Sequence, residues 1–270
     1  MNFTKVEGCG NHFILLDGIE FSLSNLSLTP QLIRDLCQPN FGIGADGVLL
    51  IQNFHDQPHG QSIVYEMIVF NADGHLAQMC GNGLRCVVEY LHHHYDFLPS
   101  PKDFGYIQTG AGPLKVMVSS HTENLSQWIG VEMGWPSIQE NVTHRQRHFD
   151  VLSFGNPHIV TYAPTDYTDR KQLALQWDQL IEGGVNLSFA KQLNEHSIQL
   201  YVHERGCGWT LACGTGACAS VFIGYKEERF RLGQSIDVHL PGGHLKIEIT
   251  SRGLVMWGPA KRVFRGQYLI

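Results

Sequence analysis

The sequence predicts an α/β protein of the α+β type, with two pseudo-symmetric domains that each place short strands around one apolar helix. Two observations support this prediction. A unit of strand, turn and helix occurs twice in the chain, and a duplicated unit constrains an architecture more firmly than local propensity does. The 270 residues are also 43% hydrophobic and 16% charged, which is enough apolar material for one large domain or two medium ones.

The first copy of the unit lies in the first half of the chain. Residues 68–70 read as a strand, residues 71–74 (Asn-Ala-Asp-Gly) as a turn, and residues 80–83 (Cys-Gly-Asn-Gly) open an apolar helix. The strand is rich in β-branched and aromatic residues, and the turn is rich in residues that adopt tight bends. The order strand, turn, helix is therefore predicted here.

The second copy repeats that order in the second half. A strand at 198–202 leads to a turn at 204–206, and residues 213–216 (Cys-Gly-Thr-Gly) open a helix that runs to roughly Lys226. Asn71 precedes Cys80 by nine residues, and Glu204 precedes Cys213 by the same nine. Equal spacing in both halves indicates a true duplication.

Further patterns extend the repeat and divide the chain. The motifs at 10–13 and 155–158 each precede an apolar run, and the alternating runs at 114–118 and 245–249 read as strands. A polar stretch that begins at residue 119 marks the boundary between the halves. We expect one domain at 1–118 plus 260–270, whose terminal run returns as a strand to the first half, and the other at 119–259.

Charge and composition exclude several classes of partner. The formal net charge is −6, whereas polyanion binding needs a surplus of Lys and Arg on one face, so no nucleic-acid partner is expected. The short basic stretch 144–148 is expected to be a solvated loop. Neither a signal peptide nor an apolar run of bilayer length is present, so we expect a cytoplasmic protein with no membrane partner.

The histidines and cysteines do not predict a metal site. No Cys-x-x-Cys pair of zinc-ligand spacing occurs in the sequence. The run 92–94 (His-His-His) falls where the first apolar helix should end, and three adjacent residues point to different faces of a helix. We expect a solvated helix end there, and no metal.

Cys80 and Cys213 are the candidate chemical groups. Each stands where a helix begins, so unpaired backbone N–H groups and the positive end of the helix dipole favour its thiolate. The glycines beside each thiol leave several N–H groups uncovered, which can bind a carboxylate. Duplication at matched spacing separates these two thiols from five others that we expect to be small buried residues with a packing role: Cys9, Cys37, Cys86, Cys207 and Cys218.

Two thiols from duplicated halves favour chemistry in which one carbon is approached from both sides. One thiol removes a proton as a base while the other delivers a proton, which is racemisation or epimerisation. Nucleophilic cysteine catalysis uses one thiolate with a histidine base and has no task for a second equivalent thiol. A thiol redox pair remains the other interpretation, although it normally shows Cys-x-x-Cys at one helix start.

The chain resembles the diaminopimelate epimerase family along almost its whole length. The motifs that carry the resemblance occur in family order: Gly10-Asn11, Gly42 to Gly47, Asn71 to Gly74, Cys80 to Gly83, Gly155 to His158, Glu204 to Gly206, and Ala212 to Cys218. The resemblance implies two domains, each a curved sheet wrapped around a central apolar helix. It also implies that no pyridoxal, metal or nucleotide is needed.

The activity implied by the resemblance is epimerisation of LL-2,6-diaminopimelate to the meso form, in lysine and peptidoglycan precursor synthesis. Cys80 and Cys213 would be the acid/base thiols, usually labelled donor and acceptor respectively. The partner would be a small-molecule amino-acid substrate. A homodimer is also implied, with Phe264 of the C-terminal strand at the contact, although the same residue could belong to the core.

The resemblance also assigns substrate contacts. The residues implied around the polar groups of the substrate are Asn11, Asn71, Gly81, Asn82, Asn156, Asn186, Glu204, Arg205, Gly214 and Thr215. His158 and Glu204 would lie beside the thiols and tune their ionisation.

Three positions depart from the family pattern. They are His12, Gly47 and Trp209, where Asp, Gln and a small polar or acidic residue are common. Two alternatives therefore stay open: a racemase of another amino acid, such as histidine or proline, with the same thiol pair, and an amino-acid-binding protein without catalysis.

Overall fold

The computed structural model describes residues 1–20, 28–54, 63–100, 103–123, 126–144, 147–163, 167–181 and 183–269. Two compact units are present, one formed by 1–131 with 258–270 and the other by 132–257. Four helices lie in the described parts of the chain: α1 (Pro30–Cys37), α2 (Gly81–Tyr95), α3 (Tyr167–Leu180) and α4 (Gly214–Lys226). None of these helices is long and apolar enough to cross a membrane.

The first unit is a strand-rich sheet. Its strands are β1 (Asn2–Gly8), β2 (Asn11–Asp17), β3 (Gly47–Asn53), β4 (Tyr65–Asn71), β5 (Leu76–Ala77), β6 (Phe104–Thr109), β7 (Gly112–Glu123) and β8 (Ser126–Gly134). Pairing is antiparallel for β1 with β2, parallel for β2 with β3, antiparallel for β3 with β4, and parallel for β4 with β6. β6, β7 and β8 then pair antiparallel in sequence.

The second unit uses the same scheme. Its strands are β9 (Ser137–His144), β10 (Arg147–Ser153), β11 (Pro157–Thr161), β12 (Asn186–Asn194), β13 (Ser197–Glu204), β14 (Gly208–Thr210), β15 (Ser235–Leu240), β16 (Gly243–Thr250) and β17 (Gly253–Gln267). Pairing is antiparallel for β10 with β11, parallel for β11 with β12, antiparallel for β12 with β13, and parallel for β13 with β15. β15, β16 and β17 follow antiparallel.

The duplication read from the sequence is therefore a duplication of topology. β1 to β4 correspond to β10 to β13, α2 corresponds to α4, and β6 to β8 correspond to β15 to β17. The last strand also belongs to both units, because its first part pairs with β16 and its second part, from Lys261 to Gln267, pairs with β1.

One apolar helix lies at the centre of each unit. α2 packs against β1, β2, β3 and β4, whereas α4 packs against β11, β12 and β16. Both helices are buried around most of their circumference, from Gly81 to Val88 in α2 and from Gly214 to Val221 in α4. A helix that is buried on all sides serves as a core element. The predicted fold class, with a sheet around a central apolar helix in each half, is confirmed.

The outer helices cover the opposite face of each sheet. α1 begins with Pro30 after the cap Thr29, whose hydroxyl accepts a bond from the Leu32 amide at 3.2 Å. Its buried residues join an apolar cluster with Val48 and Leu50 of β3. α3 joins a similar cluster with β12. Because helices lie on both faces, β3 is an almost continuous apolar run.

The predicted limits of the first apolar helix and of the domains differ in how well they match the structure. The first apolar helix ends at Tyr95, and Asp96 caps it in the left-handed conformation, so the histidines 92–94 lie in its last turn. The domain boundary predicted at 118/119 falls inside β7, and the first compact unit continues to Val131. In the stretch 144–148, residues 145 and 146 lie outside the described residues, and those on either side belong to β9 and β10.

Candidate active site

The first thiol caps the helix at the centre of the first unit. Cys80 has an extended backbone, and its Sγ accepts a bond from the Gly83 amide at 3.4 Å. Gly81 and Asn82 form the first turn, so their N–H groups point toward the helix start, as in any α-helix. A Cβ at Gly83 would lie 2.9 Å from a Leu49 methyl carbon, so the close approach of helix to strand favours glycine.

Two asparagine side chains connect this thiol to the sheet. The Cys80 thiol lies 3.9 Å from Asn11 Oδ1, which also accepts a bond from Asn82 Nδ2 at 3.2 Å. The Nδ2 of Asn11 donates to Asp46 Oδ2 at 2.6 Å, and the other oxygen of Asp46 lies 3.9 Å from His12 Nε2. The predicted residues Asn11, Cys80 and Asn82 are thus brought together by the fold.

A buried arginine lies behind Asn82. Arg85 is 0% exposed and donates from Nη2 to Asn82 Oδ1 at 2.9 Å. Its guanidinium also lies 3.8 Å from Cys9 Sγ and donates from Nε to the Pro259 carbonyl at 3.4 Å.

Asn71 reaches the same edge of the sheet by strand pairing. It ends β4 opposite Gly47, the residue after Asp46, and the Ala72 amide donates to the Asp46 carbonyl at 3.1 Å. The Asn71 residue is exposed, so its amide is accessible to a ligand.

The second thiol repeats this arrangement at the start of α4. Cys213 caps the helix, and its Sγ accepts a bond from the Gly216 amide at 3.4 Å. Gly214 is the first helical residue, and the hydroxyl of Thr215 lies 3.4 Å from the Cys213 sulfur. The Thr215 hydroxyl also accepts a bond from Asn156 Nδ2 at 3.4 Å.

A chain of polar contacts continues from Asn156 into the sheet. His158 Nε2 lies 3.2 Å from Asn156 Oδ1 and 3.5 Å from Asn186 Nδ2. Asn186 Oδ1 in turn accepts a bond from the Arg205 backbone amide at 2.9 Å. The Arg205 guanidinium extends away from this chain and donates to the Gly183 carbonyl at 3.0 Å.

Glu204 is the charged neighbour of the second thiol. Its Oε1 accepts a bond from the Thr210 hydroxyl at 2.5 Å, and the carboxylate also hydrogen-bonds the Cys213 thiol. Burial raises the pKa of Cys213 well above its usual value, and the negative charge of Glu204 raises this pKa further. The opposing bonds from Thr215 and Gly216 are weaker, so the helix start does not by itself give a thiolate here.

His158 is a neutral histidine in this setting. The side chain is 0% exposed, and burial lowers the pKa of His158 to about 3. A neutral ring brings no charge to Cys213: His158 contacts Asn156, which donates to Thr215 beside the sulfur, and the charge next to Cys213 is that of Glu204.

The lowered pKa of His158 predicts a specific loss of stability in acid. The folded pKa lies below the unfolded value of about 6.5, so the stabilisation is complete above pH 6.5 and is lost as the pH falls toward 3. As the pH is lowered from 8 to 5, the buried neutral ring of His158 should reduce the free energy of unfolding by about 2 kcal/mol. We expect His158→Gln to lack this component in urea unfolding at both pH values. The exposed His239→Gln should keep it, and equal acid dependence of both variants would contradict the assignment.

The family model for diaminopimelate epimerase matches residues 3–138 and 151–263. The chain belongs to the diaminopimelate epimerase family. The sequence prediction of this family is thus confirmed.

Similar proteins extend the family match over the full chain. Diaminopimelate epimerase of Halothermothrix orenii is 33% identical over 296 residues, covering 100% of this chain and 98% of that protein. Diaminopimelate epimerase of Clostridium perfringens is 30% identical over 285 residues and covers 100% of both chains.

Solved structures show the fold alone, because their sequences are distant. A probable proline racemase of Agrobacterium radiobacter has a TM-score of 0.72 at 14% identity and covers 100% of this chain and 93% of its own. A predicted epimerase of Pseudomonas aeruginosa has a TM-score of 0.74 at 12% identity and covers 100% of this chain and 99% of its own.

The three departures from the family pattern have different structural settings. A Cβ at Gly47 would lie 2.4 Å from the Phe70 carbonyl oxygen, so this backbone accepts only glycine. His12 points to Asp46, as described above. Trp209 packs 5.7 Å from the Phe189 ring and belongs to the apolar cluster under α3.

Trp209 faces away from the second thiol. Side chains alternate across a strand, and Thr210, the next residue, faces Glu204. Trp209 therefore lies on the opposite face of the sheet from the carboxylate that bonds Cys213, and its ring does not line a pocket at this thiol.

Three residues of the site were missed by sequence reasoning. Asp46, Arg85 and Thr210 each hold a predicted site residue through a side-chain bond. One signal was available for Arg85, since its neighbours at 84 and 86–88 are apolar and a charged residue in such a run is unusual unless it is paired. Asp46 and Thr210 lie in a loop and a short strand, where polar residues are ordinary.

Proposed function

We propose that this protein epimerises LL-2,6-diaminopimelate to meso-diaminopimelate with Cys80 and Cys213 as the acid/base pair and without a cofactor. The observation that carries the proposal is the equivalence of the two thiols. Each caps the central helix of its unit, at corresponding points of the duplicated topology, and each accepts the amide of the residue three positions on. Membership of the diaminopimelate epimerase family supplies the reaction and the substrate.

The proton transfers follow from the groups around each sulfur. Glu204 takes the proton of the Cys213 thiol, and the resulting thiolate removes the proton from the substrate α-carbon. The Cys80 thiol then delivers its proton to the opposite face of that carbon. One C–H bond breaks and another forms, and the original proton states return by exchange with solvent. The reverse reaction exchanges the two roles.

The carbanion needs more than a thiolate. Its charge spreads into the carboxylate of the substrate, and the first-turn N–H groups of the two helices are suited to that charge. In the proposal these donors belong to Gly81, Asn82, Gly214 and Thr215. Preorganised donors of this kind contribute about 3 kcal/mol each to transition-state stabilisation where they have been measured.

The remaining polar residues suit a substrate with two charged ends. Asn71 is exposed at the edge of the first sheet, and Asn156, Asn186 and Arg205 lie along the chain of contacts in the second unit. Asn11 has two amide hydrogens, of which Asp46 takes one. We assign these groups to the ammonium and carboxylate groups of diaminopimelate, with Glu204 also near the reacting centre.

The direct test is product formation by the purified protein from LL-diaminopimelate alone. Chiral chromatography should show meso-diaminopimelate without added pyridoxal phosphate, metal or nucleotide, and chelators should have no effect. Binding of the substrate without conversion would favour an amino-acid-binding protein instead.

We further propose that the enzyme acts in the cytoplasm, where thiols stay reduced, in lysine and peptidoglycan precursor synthesis.

A homodimer is proposed, with Phe264 at its contact. Phe264 is 48% exposed and meets Phe3 edge-on, with ring centroids 5.8 Å apart. An exposed aromatic on the C-terminal strand suits an interface. We expect Phe264→Asp to weaken the dimer at least tenfold in sedimentation equilibrium, since a buried unpaired charge opposes association. Leu232→Asp, at another exposed apolar residue, is the control. Unchanged dimer affinity in Phe264→Asp removes this residue from the interface.

A further inference from the structure

We propose that Arg85 and Asp46 are positioning residues, which fix the amides of Asn82 and Asn11 so that Asn11 Oδ1 accepts the hydrogen of the Cys80 thiol. The inference deepens the proposed function, on which it rests, because it gives Cys80 its role as the proton donor of the resting enzyme. Neither Arg85 nor Asp46 has to touch the substrate for this role.

The orientation of each amide follows from the charged group at its outer end. A guanidinium only donates hydrogen bonds, so the Asn82 atom 2.9 Å from Arg85 Nη2 has to be the oxygen. A carboxylate only accepts, so the Asn11 atom 2.6 Å from Asp46 Oδ2 has to be the nitrogen. The chemistry of the two charged groups therefore fixes the orientation of both amides.

The two amides then join in one direction only. With its oxygen on Arg85, Asn82 turns its nitrogen toward Asn11 and donates to Asn11 Oδ1 at 3.2 Å. The dipoles run head to tail from the cation to the anion, and each bond polarises the next. Turning either amide over would set N–H against guanidinium or oxygen against carboxylate, and would break two bonds at once.

The atom of this hydrogen-bonded row that faces the Cys80 thiol is an acceptor. Asn11 Oδ1 lies 3.9 Å from the Cys80 sulfur, within reach of a thiol hydrogen. A carbonyl oxygen stabilises the S–H form and repels the thiolate. Cys213 differs, because a carboxylate that can accept a proton bonds its thiol. Both sulfurs therefore start as thiols, but only Cys213 has a neighbouring base that can take its proton, although the two helix starts are alike.

The burial of Arg85 makes its end of the hydrogen-bonded row rigid. It is 0% exposed inside α2, and besides Asn82 its Nε contacts the Pro259 carbonyl and its Nη2 the Cys9 sulfur. The ionisable neighbours that act with Arg85 on this region are Glu7 and Glu89, which influence the adjacent buried thiol of Cys86. A buried charge held at several points moves little, so the Asn82 amide has one orientation.

Asp46→Asn is the decisive variant. An asparagine keeps the shape, but one neutral oxygen then has to serve both N–H groups that Asp46 Oδ2 accepts, from Asn11 and from the His12 backbone. The bond to Asn11 loses the strength that the carboxylate charge gives it, so Asn11 becomes able to turn its N–H toward the Cys80 sulfur. We expect Cys80 to react with iodoacetamide about tenfold faster at pH 7, a change of one pH unit in the midpoint of its alkylation profile, with Cys213 unchanged. Peptide mapping by mass separates the two thiols.

Asp73→Asn is the matched control, because this carboxylate is exposed in the turn after β4 and bonds only local groups in the contacts described, at the His75 amide and ring. The proposal is overturned when Asp46→Asn and Asp73→Asn give the same Cys80 profile as the unmodified chain. It is also overturned when the difference disappears in 1 M KCl, where a screening length of about 3 Å leaves hydrogen-bond orientation intact but removes a through-space charge effect.

Arg85 provides a second test. We expect Arg85→Lys, which still donates to Asn82 Oδ1, to keep the normal profile, and Arg85→Gln to increase Cys80 alkylation severalfold. Thermal unfolding checks that both variants fold. If Arg85→Gln does not fold, the alkylation profile of Asp46→Asn decides whether the proposal holds. Alkylation needs no turnover, so a shifted profile in a protein without epimerase activity would support the positioning role and reject only the proposed reaction.

Discussion

Replacing either Cys80 or Cys213 by alanine is expected to reduce net epimerisation at least about a thousandfold. Each face of the α-carbon needs its own proton carrier, and a positioned acid or base contributes typically 10² to 10⁴ in rate. The remaining thiol can still remove a proton and return it to the same face. Each single variant should therefore exchange the α-hydrogen of one stereoisomer with solvent deuterium while inversion is lost.

The matched control is Cys86→Ala, which removes a buried thiol of α2 one turn past the helix start. It should keep normal turnover after allowance for lower stability, measured by thermal unfolding. Near-normal inversion by either Cys80→Ala or Cys213→Ala would show that one base is sufficient, and the two-thiol mechanism would be wrong.

The second large effect concerns the substrate. LL-diaminopimelate should be turned over at least about a hundredfold more efficiently, in kcat/KM, than L-histidine or L-proline. Its second ammonium and carboxylate would bond the asparagine amides and Arg205, whereas a shorter amino acid leaves such groups unpaired at about 1–3 kcal/mol each. Two site groups left unpaired by the shorter amino acid account for the hundredfold difference in kcat/KM.

The setting of Trp209 strengthens this expectation. An indole beside the thiol could have shaped a pocket for a heterocyclic side chain, but the ring packs into the cluster under α3 on the other face of the sheet. Proton exchange of the three amino acids, measured side by side in deuterated buffer, tests the point. A preference for histidine or proline would assign this chain a different substrate and leave the thiol chemistry intact.

The duplicated architecture could be predicted from the sequence because spacing is a long-range signal. Equal distances from Asn71 to Cys80 and from Glu204 to Cys213 do not depend on local propensity, and the structure shows that they span the same strand, hairpin and helix start. The apolar helices were also predictable, since few polar residues interrupt them.

The helices α1 and α3 and the end of the first unit were not predicted from the sequence. α3 is absent from the predicted elements because it has no marked apolar stripe, and only Ala174 and Trp177 are buried among its described side chains. α1 carried an available signal in Thr29 followed by Pro30, a typical helix start. The end of the first unit at Val131 depends on how β7 and β8 pair, which no local pattern encodes.

The electrostatics of the site depend on tertiary contacts that no local sequence pattern encodes. From sequence, a helix start predicts a favoured thiolate, but the sequence does not show that Cys213 is buried beside Glu204 or that these effects outweigh the helix start. Nor does it show that Asp46 and Arg85 hold the two asparagines near Cys80. Such contacts join residues distant in the chain, so they follow from packing alone.

Incubation of the enzyme with LL-diaminopimelate in deuterated water tests the central claim most directly. Two thiols that act on opposite faces predict that early meso product carries one deuterium at the inverted centre, while recovered LL-substrate still carries hydrogen. Mass spectrometry after chiral separation measures both isotopic contents. Meso product without deuterium would mean that one base carries the proton across, and deuterium appearing equally fast in substrate and product would also contradict two separate proton carriers.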